Sequence, residues 1–483
     1  MGIVALLPYR HFLSDDGFIY LRFVRNLTEA GIFSYNLPIP TYGFTGPLWV
    51  IILSGVNVLV RDPFITAKIV AFTLSAFTVA AYFRLCHHFV HHTAYAFIAT
   101  VALVVDPWFA KWMVSGLENP LTLVLLFTSL LLHLRTRGTE RVSILAYFLV
   151  GLGILSRPEM LIYAGVLILD ILIFERSRRA LKLLVATICV GLPNLMWIGF
   201  AQWHFGTFIP NTILAKSVEA QFRSTYFDTF IRCTQIVAGS TLLPCMAILG
   251  LGAVSALRGE FRWSCVTNLL RTYLVPLSWC LVLIAFYVIG RATVSGRYLL
   301  AITPIITLLG VAALESLLAL LHSSRLRQIL ATAFGVVLVA QLGFLQYRYT
   351  FFVTKWEQGM DPNLIKIATW LRDNTSPHIT VASHEIGVLG YFSERRVLDT
   401  GGLCSPEFIP ELGNAEKLNI HLRSLKPDYI MTDSPFRKLE GAHGELVFAV
   451  DVQREGSSAL GDVQQYHLTR LHYFEVTHEQ PNQ

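Results

Sequence analysis

Two adjacent carboxylates, Asp15-Asp16, follow a short apolar run, and further along the chain single cations stand in the polar breaks between apolar segments. Neighbouring carboxylates at an apolar boundary repel, so one of them should hold its proton unusually tightly unless a cation is close. Such a group can serve as a general base. The plainer reading is that Ser14 or Asp16 caps the helix that follows. Arg157, in Arg157-Pro158-Glu159, lies in a very short connection, where a guanidinium can grip a phosphate oxygen. Glu118, within Ser115-Gly116-Leu117-Glu118-Asn119, and Glu159 each open an apolar segment, a place where helix polarity alone favours an acid. The loop from Phe205 to Lys216 carries Pro210 and Asn211, and a later junction holds Arg291, Ser295, Gly296, Arg297 and Tyr298. Arg157, Lys216, Arg291 and Arg297 could build a cationic site for an anionic lipid headgroup. Each alone could equally be an interfacial side chain reaching towards phospholipid.

Other clusters carry less. His87-His88 and His91-His92 have no acidic neighbour or third ligand and read as a solvated loop. The seven cysteines form no C-x-x-C pair and lie mostly in apolar surroundings, where Cys behaves as a small hydrophobe.

The elements that must position these residues are membrane helices. Charged residues make up 14% of the 483 and hydrophobic ones 54%, against about 25% charged in soluble domains. Disordered and fibrous classes fall to the same composition. Apolar runs at 3–13, 64–85, 93–106, 118–134, 143–155, 160–175, 182–203, 234–256, 271–289, 299–320 and 329–346 predict about eleven crossings, the first of them partial. The shortness of 3–13 before the Asp pair reads as a start that is missing.

One set of connections (84–92, 135–142, 175–182, 257–264 and 321–328) holds 12 Lys or Arg in 41 residues, and the opposite set holds 10 in 107. Basic residues favour the cytoplasmic side, so the first set is expected inside and everything after 346 outside. The net charge of +6 is thereby assigned to membrane loops, not to nucleic acid. Residues 47–60 would break the alternation as a crossing and are expected as an outer re-entrant or surface helix, with Trp49 at headgroup level. Residues 16–29 are expected to lie along the membrane, with Ile19, Tyr20, Phe23, Val24 and Leu27 on one arc and Arg22, Arg25 and Asn26 on another. After about residue 355 the composition changes, and alternating helices and strands over 361–477 predict an α/β domain with a frayed tail at 478–483. The expected division is 1–355 for the transmembrane part and 356–483 for the extracytoplasmic part.

The segment Asp15-Asp16-Gly17-Phe18-Ile19-Tyr20-Leu21-Arg22-Phe23-Val24-Arg25-Asn26-Leu27 resembles the polytopic glycosyltransferases that use polyprenyl-phosphate sugars, the GT-C superfamily. The likeness continues through Tyr35-Asn36, Tyr42-Gly43-Phe44-Thr45-Gly46-Pro47-Leu48-Trp49, Ser115-Gly116-Leu117-Glu118, Ser156-Arg157-Pro158-Glu159, Phe205-Gly206-Thr207, Pro210-Asn211-Thr212, Ala215-Lys216 and Gly296-Arg297-Tyr298. Within that superfamily the chain looks most like the actinobacterial transferases that add terminal β-linked arabinofuranose, and less like aminoarabinose and protein mannosyl transferases.

The resemblance implies a GT-C membrane fold and an inverting enzyme of the plasma membrane, and the basic loops place its N-terminus in the cytoplasm. It implies a polyprenyl-phosphate sugar as donor and a cell-envelope glycan or glycolipid as acceptor. The base maps onto Asp15 or Asp16, with Asp15 favoured and Asp16 orienting. Arg157, Lys216, Arg291, Arg297, Glu118, Glu159, Asn211 and Tyr298 become phosphate or substrate contacts. A divalent cation beside Asp15 and Asp16, as in some relatives, has no ligand set of its own in the sequence. The other functional classes that fit the composition are a multi-pass transporter or flippase and a non-catalytic membrane scaffold.

Overall fold

A computed structural model describes residues 6–258, 263–432, 442–454 and 462–473. The expected tail, 478–483, lies outside them, as do residues 3–5 of the first apolar run and part of the connection 257–264. The chain forms two compact units that do not follow chain order. One comprises Met1–Phe12, Thr45–Phe208 and Arg223–Thr350; the other comprises Leu13–Phe44, Ile209–Phe222 and Phe351–Gln483.

The first unit is helical. In chain order it holds α2 (Pro47–Val60), α3 (Pro63–Phe89), α4 (Thr93–Val105), α5 (Pro107–Trp112), α6 (Asn119–Thr136), α7 (Ile144–Ser156), α8 (Met160–Phe174), α9 (Arg179–Phe205), α11 (Tyr226–Leu257), α12 (Trp263–Ile289), α13 (Gly296–Leu299), α14 (Thr303–Ala319) and the start of α15 (Ser324–Asn374). Among the described residues six helices are long and apolar enough to cross a membrane: α3, α6, α9, α11, the Thr272–Ile289 part of α12 and the Ser324–Arg348 part of α15. The protein is therefore a multi-pass membrane protein, with six such helices among the described residues where about eleven were expected. Four of the expected crossings are apolar helices of 13 to 17 residues (α4, α7, α8 and α14), and roughly 20 are needed to span the hydrocarbon core unaided. Where the partial first crossing was expected, Leu7–Tyr9 is a single 3-10 turn.

Within this unit α11 packs along α14, α9 along α7, and α6 against α3 and α7. Trp49 is fully buried, its indole N–H donating to the Gly116 carbonyl at 2.9 Å, so it does not stand at a headgroup surface. Some basic residues counted for orientation have structural partners: Arg137 is 2.6 Å from Asp170 and Lys182 is 2.7 Å from Glu175.

The second unit is mixed. It contains α1 (Asp15–Ala30), α10 (Asn211–Arg223), the C-terminal part of α15, then β1 (Thr380–Ser383), α16 (Gly387–Ser393), β2 (Arg396–Asp399), α17 (Ala415–Leu425), β3 (Tyr429–Thr432), β4 (Ala442–Arg454) and β5 (Asp462–Tyr473). The sheet order is β2-β1-β3-β5-β4, with β2, β1 and β3 parallel and the β4–β5 pair antiparallel. Short strands joined by helices make the parallel half; its core is Ala382, Leu398, Phe408, Leu422 and Leu471.

Helix α1 packs against α16 inside this unit rather than lying on a surface. Its apolar arc is buried, and so are Arg22 and Asn26 from the arc expected to face solvent. The reason is hydrogen bonding. Arg22 donates to the carbonyls of Tyr35, Gly390 and Arg395 and to the Asn36 amide oxygen, while Asn26 donates to Ser34 and Tyr35. Asn36 in turn pairs with Val397 through both its amide atoms, satisfying an edge of β2 that would otherwise lack partners.

Candidate functional sites

In the mixed unit the Asp pair opens α1. Ser14 is the cap, accepting from the Gly17 amide at 3.2 Å, so neither aspartate is spent on that task. Asp15 instead accepts the amides of Gly387 (2.9 Å) and Val388 (2.8 Å), the first two residues of α16. A Cβ on Gly387 would collide with the Asp15 main chain, so only glycine permits this approach. Burial, then the nearby Glu385 charge, push the Asp15 acid up to about 8, against the two amide bonds and with a smaller push from Asp16. Asp16 is half-buried beside it.

Around this pair stand the residues that follow the parallel strands. Glu385, just after β1, accepts from the Tyr466 hydroxyl at 3.0 Å. Asp399, ending β2, accepts the amides of Gly401 (2.8 Å) and Cys404 (2.7 Å), and burial raises its acid to about 6 despite those bonds and the neighbouring His384. The Tyr35 hydroxyl donates to the Ile386 carbonyl at 2.6 Å, closing the loop onto α1. Asn211 is buried at the start of α10, its amide donating to the Tyr42 carbonyl, and Lys216 is exposed on the same helix.

Among the described residues no group of three or more His, Cys, Asp or Glu could hold a metal ion. A divalent cation at the Asp pair would lack a third His, Cys, Asp or Glu ligand among the described residues, and each Asp15 oxygen already accepts one amide.

In the helical unit Arg157 leaves the end of α7 and becomes the hub of a polar cluster. Its Nη1 donates to Asn119 Oδ1 at 2.8 Å and to the Arg297 carbonyl at 3.4 Å. Its Nε lies 3.5 Å from Glu118 and its Nη2 3.5 Å from Glu159. The Tyr287 hydroxyl donates to Glu159 Oε1 at 2.9 Å, and Tyr287 meets Tyr298 edge to face. The Arg297 guanidinium lies 5.2 Å from the Tyr298 ring and 5.7 Å from that of Trp112. Burial raises the Glu159 acid, but the Arg157 charge and the tyrosine hydrogen bond outweigh it and hold the carboxyl below its usual range. Arg157 is likewise kept firmly charged by Glu159 and Glu118 despite its burial.

Arg157, Glu159, Arg297 and Tyr298 open onto a cleft with Met160, Trp279, Leu283 and Leu300 as its apolar wall. Five of the expected residues are thus brought together: Glu118, Arg157, Glu159, Arg297 and Tyr298. Arg291 is not among them; it lies over Tyr226 at 5.3 Å and does not line the cleft. Nor is the cluster simply positive, because two carboxylates stand against Arg157.

Sequence reasoning missed Asn119, although it adjoins Glu118 in a motif already singled out. It also missed Lys111, which is buried with its ammonium 5.0 Å from the Trp112 ring. Tyr287 and Trp279 sit within an uninterrupted apolar run, where nothing marks them as polar contacts.

Residues 346–477 match a family described as a domain of unknown function (DUF8728). No curated protein matches the chain. Among solved structures, the chain is similar to ArnT from Cupriavidus metallidurans bound to undecaprenyl phosphate. The TM-score is 0.57 at 12% identity, covering 96% of each chain. It is also similar to the archaeal oligosaccharyltransferase AglB from Archaeoglobus fulgidus in complex with an inhibitory peptide and a dolichol-phosphate (TM-score 0.58, 12% identity, 87% of this chain and 66% of that one). The mycobacterial arabinofuranosyltransferase AftD aligns at a TM-score of 0.49 and 16% identity, over 39% of its own length, too loosely to bear on the sugar. The likeness shows a fold shared with ArnT and AglB.

Proposed function

We propose that the protein is an inverting glycosyltransferase that moves a sugar from a polyprenyl phosphate to a hydroxyl of a cell-envelope glycan or glycolipid. The observation that carries this reading is the cleft in the helical unit. Two guanidinium groups, Arg157 and Arg297, and a buried amide, Asn119, stand above an apolar wall. That combination suits a lipid whose head is a sugar phosphate. Support also comes from the fold, which ArnT and AglB share.

In this reading the acceptor oxygen attacks the anomeric carbon, and its proton passes to a carboxylate of the Asp pair. The bond from the anomeric carbon to the phosphate oxygen breaks, and its electron pair leaves with the lipid phosphate. One displacement inverts the anomeric centre. Fixed positive charge from Arg297 and Arg157 lowers the barrier by meeting the charge that develops on the leaving phosphate. Asp16 is the base and Asp15 positions it. Asp15 already accepts two backbone amides and holds its proton near neutral pH, which favours its neighbour for proton abstraction. Lys216 and Asn211 are secondary substrate contacts.

The orientation proposed from the basic loops places the C-terminal domain, residues 356–483, outside the plasma membrane and the N-terminus in the cytoplasm. A reporter fused after residue 432 that reads cytoplasmic would reverse it. The activity is tested with the full chain in nanodiscs and a panel of undecaprenyl-phosphate sugars, arabinofuranose first on the sequence likeness. Release of undecaprenyl phosphate that depends on an added glycan acceptor, and on Asp16, is the expected result. Failure of every donor to turn over defeats the reading.

A further inference from the structure

Asn119 and Glu159 are both held by the Arg157 guanidinium, through Asn119 Oδ1 on Nη1 and Glu159 Oε1 on Nη2. Because Nη1 can only donate, the atom facing it must be the amide oxygen, which fixes the Asn119 side chain in one orientation. Each residue is then left with a second polar atom. Asn119 Nδ2 is a donor, Glu159 Oε2 is an acceptor, and both are buried without a hydrogen-bond partner. Asn119 is 2% exposed, and both residues line the same cleft. Buried polar atoms without partners are uncommon in folded proteins and call for a ligand or another explanation.

The chemistry of the two atoms is selective. An ionised phosphate oxygen can accept but cannot donate, so it has no use for a carboxylate oxygen and is repelled by it. A hydroxyl both donates and accepts. A hydroxyl thus carries both the donor that Glu159 Oε2 lacks and the acceptor that Asn119 Nδ2 lacks. The charges agree: Glu118 and Glu159 match Arg157 and Arg297 in number, so with the lipid phosphate bound the group is net negative and repels a further anion on the sugar. Tyr298, Tyr287 and Trp279 border the same space and supply aromatic surface for the hydrocarbon side of a ring.

We propose that Asn119 and Glu159 form a subsite that reads one hydroxyl of the transferred sugar, and that the sugar is a neutral, hydroxyl-bearing one rather than a uronic acid. This deepens the function proposed above and rests on it.

The test measures binding, not turnover. Full-length protein in nanodiscs is titrated with undecaprenyl phosphate and, separately, with its mannosyl and arabinofuranosyl esters, following intrinsic tryptophan fluorescence and native mass spectra. In the wild type at least one sugar lipid should bind more tightly than undecaprenyl phosphate. Asn119→Ala and Glu159→Gln should each weaken that sugar lipid about tenfold, the scale of one lost hydrogen bond, while undecaprenyl phosphate changes less than about twofold. Glu159→Gln keeps the side-chain shape and adds no charge, and it serves if the alanine variant does not fold. The subsite is overturned if undecaprenyl phosphate loses as much affinity as the sugar lipid, or if the wild type shows no gain from any sugar. A wild type that binds undecaprenyl phosphate but gains nothing from a sugar sinks this inference alone. One that binds neither lipid takes the proposed function down as well.

Discussion

Asp15 in the mixed unit and Glu159 in the helical unit are both acids drawn out of water, yet their acidities move in opposite directions. Asp15 rises to about 8; Glu159 falls below the usual carboxylate range. Burial pushes both upwards, so burial is not what separates them. The partners are. Asp15 meets two backbone amides and another carboxylate, Glu385, whereas Glu159 meets a guanidinium and a phenol. Amide dipoles stabilise a carboxylate less than a full positive charge does when both are poorly screened. In the proposed function the two regions would do different work, proton handling in the one and phosphate contact in the other.

The strongest way to break this comparison is Asp16→Asn. It should lower sugar transfer by about a thousandfold or more if Asp16 is the base, on the scale of losing general base catalysis, with the melting temperature unchanged. Activity retained within a few fold in a transfer assay would return the base to Asp15 or elsewhere.

Next in size is Arg157→Met. It strands Glu118 and Glu159 as unpaired buried carboxylates, and breaking such a pair costs about 3–5 kcal/mol. Thermal or denaturant unfolding should show the loss, and adding Glu159→Gln to the same chain should recover part of it. If the single variant unfolds like the wild type, Arg157 is not holding those acids.

A pH series sharpens the other half. An acid whose folded pKa lies above its unfolded value favours folding fully below the unfolded pKa, near 3.8 for Asp15, and loses that contribution as pH rises towards about 8. Wild-type stability should therefore decline between about pH 4 and pH 8. In Asp15→Asn this slope should disappear, with the variant less stable by about 1–3 kcal/mol at low pH because one amide bond to α16 has no acceptor. Parallel pH curves for the two proteins would show that Asp15 does not titrate in this window.

The smallest effect belongs to Lys216→Ala. Lys216 is exposed, so stability should stay within about 0.5 kcal/mol, and any change should appear in donor affinity and its salt dependence alone. A large loss of stability would mean that Lys216 helps to hold α10 in place.

The elements of the mixed unit were legible because each carries local signals. Strands of four residues between turn-formers and the amphipathic Ala415–Leu425 can be read from neighbours in sequence. Membrane helices were legible in position but not in kind. The apolar runs at 93–106, 143–155, 160–175 and 299–320 do become helices, but of 13 to 17 residues, since hydropathy does not encode where a helix ends when both sides of the break are apolar. The site was legible only in part. Glu118, Arg157 and Glu159 stood out as charges in apolar company, yet nothing local showed that Arg157 would be balanced by both acids. Arg22 and Asn26 looked like a solvent face because a helical wheel registers polarity, not the carbonyls that will arrive from distant residues such as Gly390 and Arg395.

By itself the sequence determined that this chain enters a membrane and that its chemistry must come from a few charged residues at the breaks, since hydropathy and charge are properties of residues one at a time. Only the tertiary structure decided what those charges do. It turned Asp15 onto the amides of Gly387 and Val388, more than 370 positions away, and set Arg157 between Glu118, Glu159 and Asn119. The physical reason is that an ionisable group's behaviour depends on what lies within a few ångströms of it, and chain folding alone chooses those neighbours.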